Sequence, residues 1–183
     1  MTTLLAFTVL VALVGLERVA ELVVSTRNAA WSRERGGIES GLGHFPFMVV
    51  LHTALLVGAL AEAWLRRPDV PSLLAWSMLA LVVASQALRW WCIATLGRRW
   101  NTRVIVVPGL APVSSGPYRF LRHPNYVAVV VEGVALPLVH AAWITAAVFT
   151  VLNAGLLAVR IRTEDAALAT LPRISGTPER ADA

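Results

Sequence analysis

The stretch "GPYRFLRHPNY", Gly116 to Tyr126, sets two arginines, a histidine and two tyrosines directly before an apolar run that holds one carboxylate, Glu132. Pro124 falls where a helix would begin. Proline suits a first helical turn because its missing N–H would have no partner there, and the N–H groups left free attract anions. With Arg119, Arg122 and His123 alongside, such a helix start can hold a carboxylate or phosphate. The same residues would also serve as an interfacial belt on lipid headgroups. A second cluster, "VRIRTEDAAL", places Arg160 and Glu164 four residues apart, on one face of a helix, and adds Asp165 as a second acid. Viewed in isolation it also reads as a solvated, salt-bridged helix end.

Acids inside apolar runs are the third signal. Glu132 falls mid-segment, and Glu17, Arg18 and Glu21 lie in the first apolar run. An ionisable group inside a membrane helix costs about 2.5–3.5 kcal/mol on insertion scales, so it faces a cavity or a partner. Arg89 is an available counter-charge for Glu132, which reads either as a base of raised pKa or as half of a structural pair. His52 and Glu62 are similar polar groups on the second run. The four histidines, His44, His52, His123 and His140, lack zinc-ligand spacing, so no metal is expected. P-loop, GxGxxG, GxSxG and HExxH motifs are absent, which removes the corresponding nucleotide, hydrolase and zincin chemistries.

These groups must be positioned by membrane helices. Of 183 residues, 57% are hydrophobic, and the mean hydropathy is +0.66, above what a soluble core of this size requires. Five apolar segments run over 3–24, 45–65, 72–96, 125–139 and 142–161. The expected fold is therefore all-α, a single polytopic membrane domain over 1–183 with five transmembrane segments and a cytoplasmic cofactor pocket. The fourth segment has about 15 residues, roughly 22 Å, short of a ~30 Å hydrocarbon core. Pro137 and the brief link after it predict that segments four and five form a tight helical hairpin, which would return Arg160 and Glu164 to the face where His123 and Tyr126 begin. The tail 172–183 reads as disordered.

All 16 basic residues are arginines, against 11 acids. They flank apolar runs and form no continuous patch, so no nucleic-acid partner is expected. The loops after segments one and three and the C-terminal region hold most of them, and the alternate loops hold only Arg66 and Arg67. The positive-inside rule then places the N-terminus outside and the long polar loops in the cytoplasm of a cell (inner) membrane protein. The first run lacks a basic n-region and a small-residue cleavage site, so it reads as a retained helix. Cys92 stands alone, which excludes an intramolecular disulfide. The loop between segments three and four is the longest polar excursion, with Val104–Val107 strand-like.

"GPYRFLRHPNY" followed by a hairpin and by Arg160, Glu164, Asp165 and Leu168 resembles the isoprenylcysteine carboxyl methyltransferase family over about residues 88–168. The resemblance implies an S-adenosyl-L-methionine cofactor and a lipid-side tunnel for a greasy acceptor. By motif, Leu110, Ala111, Pro112 and Val113 match the stretch that lines the cofactor, Tyr118 the tyrosine of the following turn, and His123, Pro124, Asn125 and Tyr126 the cofactor-contacting turn. Glu164 matches the cofactor-binding acid and Arg160 the arginine assigned to substrate; Trp100-Asn101 resembles an upstream aromatic-Asn element. Asp165 replaces the family's second glutamate, and the tyrosine-rich segment that commonly follows is missing.

The stretches "ERVAELVVSTRNAAW", "GGIESGLGHFPFMVVLH" and "LGRRWNTRVIVVPG" further resemble a bacterial branch that accompanies type III polyketide synthases and methylates alkylpyrones or alkylresorcinols. This implies such a synthase as a pathway partner. The expected activity is transfer of a methyl group to a carboxylate or acidic hydroxyl of a lipophilic acceptor in contact with membrane lipid. Arg160 is expected to orient the acceptor oxygen, and Glu132 is the candidate base for a phenolic acceptor. Two other readings stay open: an NADPH-dependent membrane reductase of the wider superfamily, and a non-enzymatic membrane partner protein.

Overall fold

The computed structural model describes residues 1–41, 43 and 45–169; His44 and the tail 172–183 lie outside the described residues. Five helices account for most of the chain: α1 (Thr2–Arg33), α2 (Phe45–Arg66), α3 (Ser72–Leu96), α4 (Pro124–Leu138) and α5 (Trp143–Ala169). Four of them, α1, α2, α3 and α5, are long and apolar enough to cross a membrane. The fourth apolar segment folds as the 15-residue α4, which does not reach across a ~30 Å core unaided. It packs instead among α2, α3 and α5, and this enclosure explains why it can hold Glu132 at 4% exposure.

The all-α expectation needs one correction. Val104–Val106 forms β2 and pairs antiparallel with β1, Ile38–Ser40, in the register Ile38 to Val106, Glu39 to Ile105 and Ser40 to Val104. The β-branched run Val104-Ile105-Val106 is strand-like by itself, but a strand needs a partner. The partner comes from the loop after α1, where no local pattern announces it.

Two helices outrun their apolar segments. The polar end of α1 continues to Arg33 because its buried polar side chains find partners in the α3–β2 connection: Asn28 donates to the carbonyls of Trp100 (2.7 Å) and Gly97 (3.2 Å), and Ser25 shares a 2.7 Å hydrogen bond with Thr102. The chain turns after α4, and α5 returns beside it, with Phe149 against Gly133 and with Arg160 and Glu164 against Tyr126. Glu62 of α2 caps the start of α5. It accepts the backbone N–H groups of Ile144 (3.1 Å) and Thr145 (2.8 Å) and the Thr145 hydroxyl (2.8 Å), so the acid that stood unexplained in the second run satisfies free helix N–H groups.

The apolar core gathers Leu4, Phe7, Val11, Ala59, Val82 and Leu136 in the half of the bundle remote from the sheet. Gly133 sets how closely α4 and α5 approach, since a Cβ there would fall 2.1 Å from the Phe149 ring. Gly133→Ala should therefore lower stability by about 1–3 kcal/mol, the usual cost of overpacking. A drop in the melting temperature of the purified protein would show it; an unchanged value would mean that the two helices separate freely.

Candidate active site

The site assembles where α4 begins and α5 ends. His123 precedes α4, and Pro124, fully buried, occupies its first turn. The Tyr126 hydroxyl donates to Glu164 and accepts a 2.8 Å hydrogen bond from Arg160 Nε. The His123 ring stacks on Tyr126 with 5.4 Å between centroids. Its Nδ1 lies 3.7 Å from Glu164 Oε1 and its Nε2 3.3 Å from Asp165 Oδ1, while Arg122 reaches the same Asp165 oxygen at 3.1 Å. The two polar clusters of the sequence are thus one cluster in space.

Two cavities meet there. The first, about 490 Å³, is lined by Leu110, Ala111, Pro112, Val113, Tyr118, His123, Asn125, Tyr126 and Glu164, with Asn101 and the β2 strand. Of the residues assigned to the cofactor by motif, Pro124 alone is off this wall; it is buried beneath the turn that presents its neighbours. The second cavity, about 310 Å³, is largely apolar, walled by residues such as Leu22, Phe45, Val49, Leu56, Val129 and Leu157, with Arg18, Glu21, His52 and Arg89 among them. Trp100, Asn125, Tyr126 and Arg160 line both.

Several buried polar atoms at this junction have no hydrogen-bond partner among the described residues: Trp100 Nε1, both side-chain atoms of Asn101, and Asn125 Oδ1. Buried polar groups are ordinarily satisfied, so a cluster of orphans in a cavity wall marks where a polar ligand belongs. Arg160 is more telling. It is 5% exposed, yet among the described residues no carboxylate lies within 4.0 Å of its guanidinium. Its donors reach only the Tyr126 phenol and, at 2.8 Å, the Met48 thioether. A buried charge without a counter-ion is costly unless an anion completes it.

Tyr118 remains a neutral hydroxyl, because burial, together with neighbouring Cys92 and Glu164, pushes its phenol well above the ordinary range. It is brought in by Gly116, whose φ of +56° and approach to Thr95, 2.4 Å from any added Cβ, leave no room for a side chain. Glu132, by contrast, is not on either cavity wall. It accepts from Arg89 Nη2 at 2.5 Å and from Arg18 Nη2 at 3.3 Å. Arg89 is the partner expected for it; Arg18 joins from α1.

β2 forms part of the wall of the larger cavity, with β1 paired to it, and the pair is tied down by Glu39, which accepts from Arg33 at 2.8 Å and Arg103 at 2.7 Å. Partial desolvation raises the Glu39 pKa, but the hydrogen bonds from Arg103 and Arg33 outweigh it and hold the carboxyl below its usual range. A depressed folded-state value stabilises fully above the ordinary glutamate pKa, and that contribution is lost as pH falls through the depressed one. Acidification through this window should loosen the strand pair, and Glu39→Gln should flatten the acid limb of the melting-temperature profile. An unaltered acid limb would assign the loss to other carboxylates.

Met48 and the contact of Arg18 with Glu132 escaped the sequence reading, and so did Asn28 and Ser25. Only the polar residues after the first apolar run hinted at them: a helix face bearing Ser25 and Asn28 beyond a membrane span has to bind something.

A comparison with protein-family profiles matches residues 78–170 to the isoprenylcysteine carboxyl methyltransferase (ICMT) family. The chain belongs to that family, and membership points to a membrane methyltransferase. Among its relatives is YpbQ of Bacillus subtilis (strain 168), described as an uncharacterized protein, 37% identical over 162 residues that cover 88% of this chain and 96% of that one. An uncharacterized protein of Haemophilus influenzae is 26% identical over 155 residues, covering 84% of this chain and 90% of the relative. No solved structure matches.

Proposed function

We propose that this protein is an integral membrane O-methyltransferase that uses S-adenosyl-L-methionine to methylate a carboxylate or acidic hydroxyl of a lipophilic acceptor. One observation carries the reading: Trp100, Asn125, Tyr126 and Arg160 are a common wall between a polar cavity and an apolar one. A group passed from a polar cofactor to a greasy acceptor must cross where their compartments touch, and in-line displacement asks chiefly for alignment and exclusion of water.

The polar cavity suits the cofactor. The unpartnered Trp100 Nε1, Asn101 amide and Asn125 Oδ1 offer donors and acceptors to an adenosine, Leu110–Val113 offer an apolar wall, and the Glu164 carboxylate suits a cationic group. When bound, S-adenosylmethionine supplies the methyl group from its sulfonium. Tyr118, His123, Asn125, Tyr126 and Glu164 then hold the cofactor, and Pro124 sets the turn that aims them. Arg160 receives the acceptor's anionic oxygen, the charge that its guanidinium lacks. A carboxylate is already ionised at neutral pH, and a guanidinium beside an acidic hydroxyl favours its anion, so no strong base is required. Glu132 serves as counter-ion to Arg89 and Arg18.

The acceptor's tail occupies the apolar cavity. The resemblance to the polyketide-associated branch supports an alkylpyrone or alkylresorcinol, supplied by a type III polyketide synthase, beside an isoprenylcysteine-like alternative. The arginine-rich loops gather at the site end of the bundle, which supports a cytoplasmic site and an outside N-terminus in the inner membrane.

Calorimetry on purified protein with S-adenosylhomocysteine and with NADPH tests the reading. Saturable binding of the former alone is expected. Binding of NADPH alone would make the protein a reductase, and binding of neither would favour a non-enzymatic membrane partner.

A further inference from the structure

Glu21 and Arg89, each 4% exposed, lie in the wall of the largely apolar cavity, beside Arg18 and His52. Each spends part of its hydrogen-bonding capacity inside the protein: Arg18 Nη1 donates to Glu21 Oε2 at 2.8 Å, and Arg89 Nη2 donates to Glu132 at 2.5 Å. Buried and unused are Glu21 Oε1 and, among the remaining Arg89 donors, Nε. Glu21 Oε1 and Arg89 Nε form an ion pair at 3.6 Å, too long for a hydrogen bond, and both atoms are buried without a hydrogen-bond partner among the described residues. Such a pair is left unsatisfied only at a cost, unless a ligand atom completes both.

We propose that Glu21 and Arg89 form a second polar subsite, which binds a neutral hydroxyl of the acceptor remote from the oxygen that is methylated. The inference rests on the methyltransferase reading above. A hydroxyl is the group that accepts from Arg89 Nε and donates to Glu21 Oε1 at once. An anion is disfavoured there, because Glu17, Glu21 and Glu132 outnumber Arg18 and Arg89 in the surrounding cluster. Glu132, which holds Arg89, lies six residues along α4 from Tyr126, about 9 Å of helix rise. The cavity therefore has two polar poles, one at Arg160 and Tyr126 and one at Arg89 and Glu21, with apolar wall around them. An acceptor head with a single oxygen would leave the second pole empty, and a site built to bond a hydroxyl rejects analogues that lack it.

The test uses full-length protein in nanodiscs and two alkyl arenes of equal chain length, one bearing two ring hydroxyls and the other one. Binding of each is followed by intrinsic tryptophan fluorescence, so the readout does not depend on turnover. Wild-type protein should bind the dihydroxy compound at least about 10-fold more tightly. Glu21→Leu, and the paired change Arg89→Met with Glu132→Leu, should bring the ratio below about twofold while S-adenosylhomocysteine still binds. Equal affinities in the wild type, binding of neither compound, or an unchanged ratio in folded variants would overturn the subsite. If a variant fails to fold, the wild-type ratio and the other variant decide. A preserved preference without S-adenosylhomocysteine binding would leave the subsite standing and refute the methyltransferase reading.

Discussion

Replacing Arg160 by alanine is expected to lower methyl transfer by about 10²–10³-fold, the loss typical when a preorganised donor to a reacting oxygen is removed. Binding of S-adenosylhomocysteine should survive, because Glu164 and the turn at His123–Tyr126 remain. The stability effect should carry the opposite sign. Without an acceptor, the Arg160 guanidinium is buried with no carboxylate within 4.0 Å among the described residues, so alanine relieves a desolvated charge and the melting temperature should hold or rise. Transfer of a labelled methyl group, calorimetry and a thermal melt on one preparation separate these outcomes. A fall in stability with unchanged turnover would make Arg160 structural and overturn its assignment to the acceptor.

Arg89→Ala should have the largest effect on stability, about 3–5 kcal/mol, because it removes the shorter of the two arginine contacts of Glu132 and the ion pair to Glu21, both 4% exposed, and leaves Arg18 alone to balance them. The paired change Arg89→Met with Glu132→Leu removes both charges at similar volume and should recover most of that loss. Arg18 keeps Glu21 at 2.8 Å and Glu17 at 3.6 Å in the pair variant, so no new unpaired guanidinium is created. Thermal melts of the single and double variants form the comparison. If the double variant is as unstable as the single one, the cost lies in lost packing, and the ion-pair account fails.

The two expectations contrast two buried arginines. Arg89 has its charge matched by carboxylates that its own fold provides, Glu132 at 2.5 Å and Glu21 at 3.6 Å, whatever its Nε meets in the cavity. Arg160 is offered a phenol and a thioether, which take up Nε and Nη1 and leave its charge unmatched. A ligand-facing role follows from what a side chain lacks as much as from what it touches. Glu132 illustrates the reverse case: an acid in an apolar run invites a catalytic reading, yet Arg89 and Arg18 converge on its Oε2 and it is on neither cavity wall.

Local physics made much of this legible. Hydropathy over about 20 residues is a property of contiguous chain, so the four long helices could be marked from sequence. The i, i+4 spacing placed Arg160 and Glu164 together, and Pro124 at a first helical turn follows from a missing N–H. The motif GPYRFLRHPNY with the later acids carried the family, and nine of the ten residues assigned to the cofactor line one cavity. Pro124, the tenth, belongs to the turn itself.

What the tertiary structure alone decided depends on contacts far apart in the chain. The pairing of Ile38–Ser40 with Val104–Val106, the anchoring of α1 through Asn28, and the capping of α5 by Glu62 each join segments whose local patterns say nothing of one another. The sequence by itself determined that ionisable residues sit inside a membrane-length helix and must have partners. Which of them are matched, as Glu132 is by Arg89, and which stand open at a cavity, as Arg160 does, is set by helix packing, because side-chain neighbours across a bundle are fixed by rotation and approach that no single helix encodes.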